Sequence, residues 1–284
     1  GKMSEEYWLP SNKDGDVIGA KFENGNVTVP PSMKKATDIL IESGLTSLFG
    51  HQKYGGMEFP NVLSVFSDEI SCASNMSLGI YLGLTKGAYN CIYSHGSEEL
   101  KETYLPRFLT GEWFGTMCLT EAHSGTDLGL IRTSAKPVGD CYNLNGQKIF
   151  ISCGEHDLSE NIIHLVLARL PDAPKGVKGI SLFVVPKFLV NDDGTLGERN
   201  KVKCVSIEEK MGVHGSATCV LSFEGAEGYL VGEPHDGLTA MFSMMNTERI
   251  AVGLQGLGQS EIAYQNGLAY AKDRIQGRDL KEPR

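Results

Sequence analysis

At Trp113 the pattern of the chain changes, and that change limits its possible folds more than any other feature. Before it, apolar residues recur at helical spacing. The stretch "PPSMKKATDILIESGL" offers Ser32 as an N-cap, Ile39 and Leu40 as part of an apolar face, and Gly44 as a stop. In "NVLSVFSDEISCASNMSLGIYLGL", Val62, Leu63, Phe66 and Ile70 share one face of a further helix, and Ser97 caps an amphipathic segment that Pro106 is expected to interrupt. After Trp113, short runs rich in Val, Ile, Phe and Thr alternate with turn residues: "CYNLNGQKIFIS", "IIHLVLAR", "KGISLFVVP", "KCVSIE" and "ATCVLSFEG". Within them Asn145-Gly146 is a strong hairpin-turn signal. From about Leu238 the helical period returns. Blocks segregated in the order α, β, α exclude a doubly wound parallel sheet. They predict an α+β multidomain chain: a helical first unit up to about Trp113, a compact all-β middle unit, and a helical unit from about Leu238.

Charge and cysteines narrow the class. A net charge of -9 repels phosphate backbones, and the 26 Lys and Arg are scattered, so nucleic acid is disfavoured as a partner. No uncharged stretch is long enough to cross a bilayer as a helix. The seven cysteines (Cys72, Cys91, Cys118, Cys141, Cys153, Cys204, Cys219) are odd in number, sit mostly in apolar segments and form no CxxC pair, which predicts free thiols in a reducing, cytoplasmic setting. The start, "GKMSEEYW", carries no targeting pattern. The last helix is long and apolar-faced with no helix after it, so the chain is expected to be truncated inside its third unit.

Two stretches invite chemistry. "MCLTEAHSGTDLG", Met117 to Gly129, gathers a carboxylate, a histidine and three hydroxyls. His123, Ser124 and Asp127 are near neighbours in one loop and cannot easily make a catalytic relay, and the G-x-S-x-G nucleophile elbow is absent. The histidines show no metal-ligand spacing, so no metal is expected. Local backbone turns made by Ser, Gly, Thr and Asp remain as the plain alternative. "GLQGLG" (Gly253, Gly256, Gly258), with Asp279 about twenty residues on, hints at a dinucleotide fingerprint. Its glycine order is reversed and no strand precedes it, so close helix approach is the better reading.

"CLTEAHSGTDLGLIRTSA" resembles the signature of the acyl-CoA dehydrogenase family, C-x-T-E-x-x-x-G-[ST]-D leading into R-T-x-A. "KYGGMEFP" resembles that family's YGG loop, "HGSEELKETYLPRFLTGEW" its G-S-E-E helix, and "LNGQKIFIS" its N-G-x-K hairpin. "EEKMGVHGSATCVLSF" and "NTERIAVGLQGLGQSEIAYQNGLAYAKDR" are similar to two later blocks, in the family's order over most of the chain. "GTDLGLIRTSA" and "DRIQGRDL" are similar to the large branch that includes the methylmercaptopropionyl-CoA dehydrogenases.

The resemblance implies an acyl-CoA dehydrogenase fold, with a partial helical domain over 1–112, a middle antiparallel β-barrel-like domain over 113–234 and the beginning of a C-terminal helical bundle over 235–284, and a cofactor, FAD, lying along the β unit. It implies cofactor contacts from Met117, Leu119, Thr120, Gly125, Thr126, Phe150, Ile151 and Ser152, with Thr120 near the flavin ring, Gly125 allowing close approach, and Phe150 covering the ring. Arg274 and Gln276 match positions at a neighbouring subunit's FAD. Thr126 and the stretch from Asn246 to Arg249 match positions near the acyl-CoA. Glu121 reads as a structural carboxylate, and His123 has no catalytic role. The implied reaction oxidises an acyl thioester to its trans-2-enoyl form, with electron-transferring flavoprotein as partner and a homodimer or homotetramer as assembly. The resemblance puts the catalytic glutamate beyond Arg284, so this chain alone is expected to lack competent turnover. An acyl-CoA oxidase and a non-catalytic DNA-damage-response flavoprotein share these motifs.

Overall fold

The computed structural model describes residues 1–277. A short helical turn, Ser4–Trp8, leads into α1 (Leu9–Val17), a small hairpin of β1 (Lys21–Glu23) and β2 (Asn26–Thr28), and three helices: α2 (Pro31–Glu42), α3 (Val62–His95) and α4 (Glu98–Thr110). Nine strands follow: β3 (Trp113–Cys118), β4 (Ser134–Val138), β5 (Cys141–Ser152), β6 (Asn161–Arg169), β7 (Ile180–Pro186), β8 (Phe188–Val190), β9 (Leu196–Arg199), β10 (Val202–Ile207) and β11 (Thr218–Val231). The last described element is α5 (Gly237–Asp273). The α, β, α order read from the sequence stands. None of the described helices is long and apolar enough to cross a membrane.

Strands β11, β5, β4, β6 and β7 pair in a closed circuit, with β10 added outside β11 and β3 outside β6. The unit is barrel-like but mixed rather than antiparallel throughout. β3 runs parallel to β6, from Trp113↔Asn161 to Cys118↔Val166, and β4 meets β6 in parallel at Ser134↔Arg169. The reason is connectivity: the long excursion through the β4–β5 hairpin brings the chain back beside β3 in the same direction, as a parallel pair requires.

Four local expectations are corrected. Asn145-Gly146 is not a turn; both residues lie inside β5, opposite Glu224 and Phe223. A Cβ on Gly146 would fall 2.5 Å from the Thr133 hydroxyl, so that glycine permits a close backbone approach. The β4–β5 turn is made by Gly139 and Asp140, between the paired Val138 and Cys141, with Gly139 at φ 59°. Ser32 does not cap α2, which starts at Pro31, a favoured first position; its hydroxyl instead donates to Asp14 at 2.6 Å. Pro106 does not interrupt α4, which runs on to Thr110, although the Ser97 cap forms as expected, its Oγ accepting from Leu100 N–H at 3.2 Å. Finally, Val62, Leu63, Phe66 and Ile70 are exposed rather than core.

Helix α3 is two helices joined at Asn75, whose backbone (φ -153°, ψ 93°) is extended. The buried Asn75 side chain accepts from Leu78 N–H at 3.1 Å, capping the second half, and donates to Ser11 Oγ at 2.9 Å. That second half packs on the β unit. A Cβ on Gly115 of β3 would lie 2.4 Å from the Ala88 methyl, and Gly115 N–H donates to Thr85 Oγ1 at 3.1 Å. One core therefore runs through both layers, including Trp8, Met33, Leu78, Trp113, Leu165 and Met244. Gly258 lets α5 approach α3, since its Cβ would come within 2.9 Å of Glu69 O. Gly253 and Gly256 face open space, so the close-approach reading holds for Gly258 alone. Asp279, and the end of "DRIQGRDL", lie outside the described residues.

Candidate functional site

The loop after β3 is held from below by a buried carboxylate. Glu121 accepts hydrogen bonds from Arg132 N–H (2.7 Å), Thr133 N–H (3.0 Å) and the Thr133 hydroxyl (2.6 Å), and pairs with Lys148 Nζ at 2.9 Å. Burial opposes its ionisation, but the Lys148 charge and the Thr133 and Arg132 donors outweigh burial and hold the carboxyl below the usual range. Lys148 is fully buried and also donates to Leu119 O at 2.9 Å; burial lowers its pKa despite Glu121 beside it. Glu121 is thus the structural carboxylate that the sequence indicated. Ser124 Oγ donates to Asp127 O and Asp127 Oδ1 accepts from Gly129 N–H, so these two residues build the turn. His123 contacts Leu130 O at the surface. Arg169 clamps the far side, its guanidinium donating to the carbonyls of Gly129, Ile131, Pro174 and Gly176.

This scaffold leaves the loop's top free. Gly125 and Thr126 are exposed and Thr120 is half-buried. A Cβ on Gly125 would meet nothing closer than 3.9 Å, so the glycine leaves room beside Thr120 for something outside the chain. Thr120 O accepts from Ile149 N–H at 2.9 Å, which stitches the loop to β5 next to Phe150. At that point the ladder shifts: Cys219 faces Ile151 but Leu221 faces Lys148. Two residues of β5, Ile149 and Phe150, thus oppose one on β11, a β-bulge of the kind that re-aims a side chain. Phe150 takes φ 58° and stands 59% exposed. A bulky residue with positive φ inside a strand is strained, and strain of this kind points to a function.

Beside the bulge opens a cleft of about 810 Å³ between α3 and α5, walled from the β unit by Phe114, Met117 and Ser152. Asn246 also lines it, together with Glu248. The structure therefore brings Met117, Ser152 and Asn246 to one cleft and sets Thr120 and Phe150 at its β-side neighbour. The side chains of Leu119 and Ile151 are buried in the core, so only their backbones could face a ligand. Arg249 is exposed, bonded to Asn246 Oδ1 at 2.8 Å and over the Phe242 ring, and does not line the cleft. Arg274 and Gln276, which bond each other at 2.8 Å, lie past the far end of α5, 26 residues beyond Glu248. At helical rise, that is about 39 Å away along the axis. Within one copy of the chain they do not join the site.

Sequence reasoning passed over Arg169 and gave Glu248 no role of its own within the stretch from Asn246 to Arg249. Arg169 gave no signal, because a clamp on carbonyls distant in sequence has no local pattern. Glu248 could have been found: Gly79, Gly83 and Gly87 repeat at four-residue spacing in α3, an unusual density of helix breakers that marks a face with something to accommodate.

Two family models match the chain in order: acyl-CoA dehydrogenase, N-terminal domain, over residues 20–112, and acyl-CoA dehydrogenase, middle domain, over residues 116–226. The chain belongs to the acyl-CoA dehydrogenase family. It is 48% identical over 281 residues to a 3-methylmercaptopropionyl-CoA dehydrogenase of Ruegeria pomeroyi, a match covering 99% of this chain and 48% of that protein. Among solved structures, butyryl-CoA dehydrogenase of Megasphaera elsdenii is similar with a TM-score of 0.79 and 28% identity, over 97% of this chain and 67% of that one. An acyl-CoA dehydrogenase complexed with FAD, from Bacillus anthracis, is similar with a TM-score of 0.73 and 27% identity, over 86% of this chain and 39% of that one. The chain spans about half the length of the first curated relatives it matches.

Proposed function

We propose that this chain forms the flavin- and acyl-facing part of an acyl-CoA dehydrogenase, built as a helical unit (1–112), a β unit (113–234) and the opening of a helical bundle (235–284). The observation that carries the reading is the cleft between α3, α5 and the β unit, with the strained, outward-held Phe150 beside it. The residues fit FAD. Phe150 offers an aromatic face, and no internal hydrogen bond occupies the Thr120, Thr126 or Ser152 hydroxyls among the described residues. Gly125 leaves its side of the loop open.

In this reading FAD, when bound, supplies the hydride acceptor for oxidation of an acyl thioester to the trans-2-enoyl thioester. Thr120 and Ser152 donate hydrogen bonds to it, Phe150 covers one face, and Thr126 serves both cofactor and acyl-CoA. The backbones of Leu119 and Ile151 fix the spacing of these groups. Asn246 and Met117 shape the acyl side of the cleft, which excludes water from the reacting carbons. Arg274 and Gln276, too distant to act within one copy, reach a neighbouring subunit's cofactor in a homodimer or homotetramer. Electrons leave to an electron-transferring flavoprotein. Free, mostly buried thiols suit a cytoplasmic protein.

Purified full-length protein should be yellow, and acyl-CoA thioesters added without oxygen should bleach its flavin band. Persistence of the reduced state on exposure to air favours a dehydrogenase, and rapid recovery of colour an oxidase. Absence of bound flavin, or a band unmoved by a panel of short and long acyl-CoAs, overturns the reading.

A further inference from the structure

Phe150 is one of two strained residues on the turn that ends β5. Cys153 also takes φ 58°, a left-handed conformation that is unfavourable for any residue with a side chain. Between the two, Ile151 and Ser152 pair with Cys219 and Thr218 of β11, and Ser152 lines the cleft. A strained backbone of this kind persists only where its surroundings hold it in place. Cys153 is held by its N–H, which donates to Ala217 O at 2.7 Å, and by its thiol, 3.5 Å from Ser216 Oγ. Both partners lie in the segment that leads from β10 into β11, so whatever fixes residues 215–217 fixes the turn.

That segment is gripped from the helical layer by Tyr81, a buried residue in the second half of α3. The Tyr81 hydroxyl donates to Gly215 O and accepts from Ala217 N–H, each at 3.3 Å, so one oxygen spans the residues on either side of Ser216. Burial keeps the hydroxyl protonated, as the bond to Gly215 needs. The Tyr81 ring meets the His156 ring edge-to-face with centroids 5.0 Å apart, which restricts its movement. The other side of the segment is equally close: a Cβ on Gly215 would fall 2.7 Å from Met33 Sδ of α2. Lys210 Nζ also donates to Ser216 O at 2.7 Å, but Lys210 belongs to the same connection and ties it to no other element. On either side of Tyr81 in α3, Ile80 and Leu82 line the cleft. One turn of helix thus walls the cleft with two side chains and grips the β unit with the one between them.

We propose that Tyr81 is a positioning residue for the flavin: through Gly215 and Ala217 its hydroxyl holds Cys153 in the strained conformation, and so sets Ser152 and Phe150 relative to the α3 wall of the cleft. This rests on the acyl-CoA dehydrogenase reading. Tyr81 does not itself line the cleft, and its effect is carried by the bonds to Gly215 and Ala217 and the bond from Cys153 N–H to Ala217 O.

The test uses full-length protein carrying Tyr81→Phe, which removes only the hydroxyl. In the flavin-free protein, amide hydrogen exchange at Cys153 should quicken by about tenfold, as expected for one lost buried hydrogen bond, while the amides of β6 keep their rates. Kd for FAD, read from flavin fluorescence, should rise by a similar factor, and the absorption bands of the bound flavin should shift. Cys153→Gly, which adopts the left-handed conformation without strain, should restore Kd in the Tyr81→Phe background. Asn200→Ala, which removes buried hydrogen bonds to Pro186 O and Glu227 O ahead of β10, should lower stability and leave Kd unchanged. A native Kd in Tyr81→Phe overturns the proposal alone, as does an equal rise of Kd in Asn200→Ala, which would mark a loss of stability and nothing more. A Kd that Cys153→Gly fails to restore overturns the route through Cys153. Failure of the native protein to bind FAD overturns the proposal together with the reading beneath it.

Discussion

Glu121 and Lys148 show how much of a loop can hang on one buried pair. With Glu121 replaced by alanine, Lys148 Nζ keeps only Leu119 O, and the Arg132 and Thr133 donors lose their acceptor. Stranding a buried charge is far more damaging than losing an exposed ion pair, so Glu121→Ala should destabilise the chain by about 3–5 kcal/mol in urea unfolding. The sign with pH follows from the lowered carboxyl pKa. Its contribution is present above the unfolded-state value and disappears as pH falls through the folded-state value. The destabilisation should therefore shrink in acid. Phe150 acts in the opposite sense. Releasing a positive φ at a non-glycine residue gains about 1–3 kcal/mol, against about 0.5–1 kcal/mol for the added freedom of glycine in the unfolded chain. Phe150→Gly should thus stabilise the flavin-free protein by about 1 kcal/mol while loosening flavin retention in gel filtration. Lower stability with unchanged flavin retention would show that Phe150 is ordinary packing.

At the level of elements, α3 decides the geometry, because its second half carries the glycine face and the contact with β3. That half begins at Asn75, so Asn75→Ala removes both a helix cap and a buried hydrogen bond to Ser11. The expected cost is about 2 kcal/mol, or about 4–8 °C in a thermal melt. The sequence showed α3 as a helical period but not its break: an asparagine amid "CASNMSLG" reads as a mild helix disfavour, and only the fold turns it into a cap. The same limit explains the other differences. Gly146 follows an asparagine, which by local chemistry means a turn, while its actual role is set by Thr133 across the ladder. Ser32 sits one residue after the true start of α2, where a competing contact with Asp14 claims its hydroxyl. Local signals that matched their local use were legible, including the Ser97 cap and the Ser124 and Asp127 turn in the loop after β3. Features set by partners distant in sequence were not, among them the parallel β3–β6 pairing and the Arg169 clamp.

Across the whole molecule, the helical layer and the β unit share one core, and the two tryptophans stand on its two sides. Trp8 enters from the first helical turn, with its indole N–H donating to Ala36 O at 3.2 Å, and Trp113 opens β3; each is nearly fully buried. Their fluorescence therefore reports both layers, whereas far-ultraviolet circular dichroism weighs the helices most heavily. If the layers were held together by a thin interface, the two signals would separate during unfolding. The interface is instead tight enough to forbid a single methyl at Gly115. Fluorescence and dichroism should accordingly give coincident transitions in the native sequence, as one cooperative unit does. Gly115→Val inserts a branched side chain against the Ala88 methyl and the Thr85 backbone, an overpacking expected to cost about 1–3 kcal/mol or more. It should also pull the two transitions apart, with the helices losing structure while the β unit persists. Separate transitions already present in the native sequence would mean that the layers fold independently, and the cleft between them would then be a docking of two stable bodies rather than part of one core.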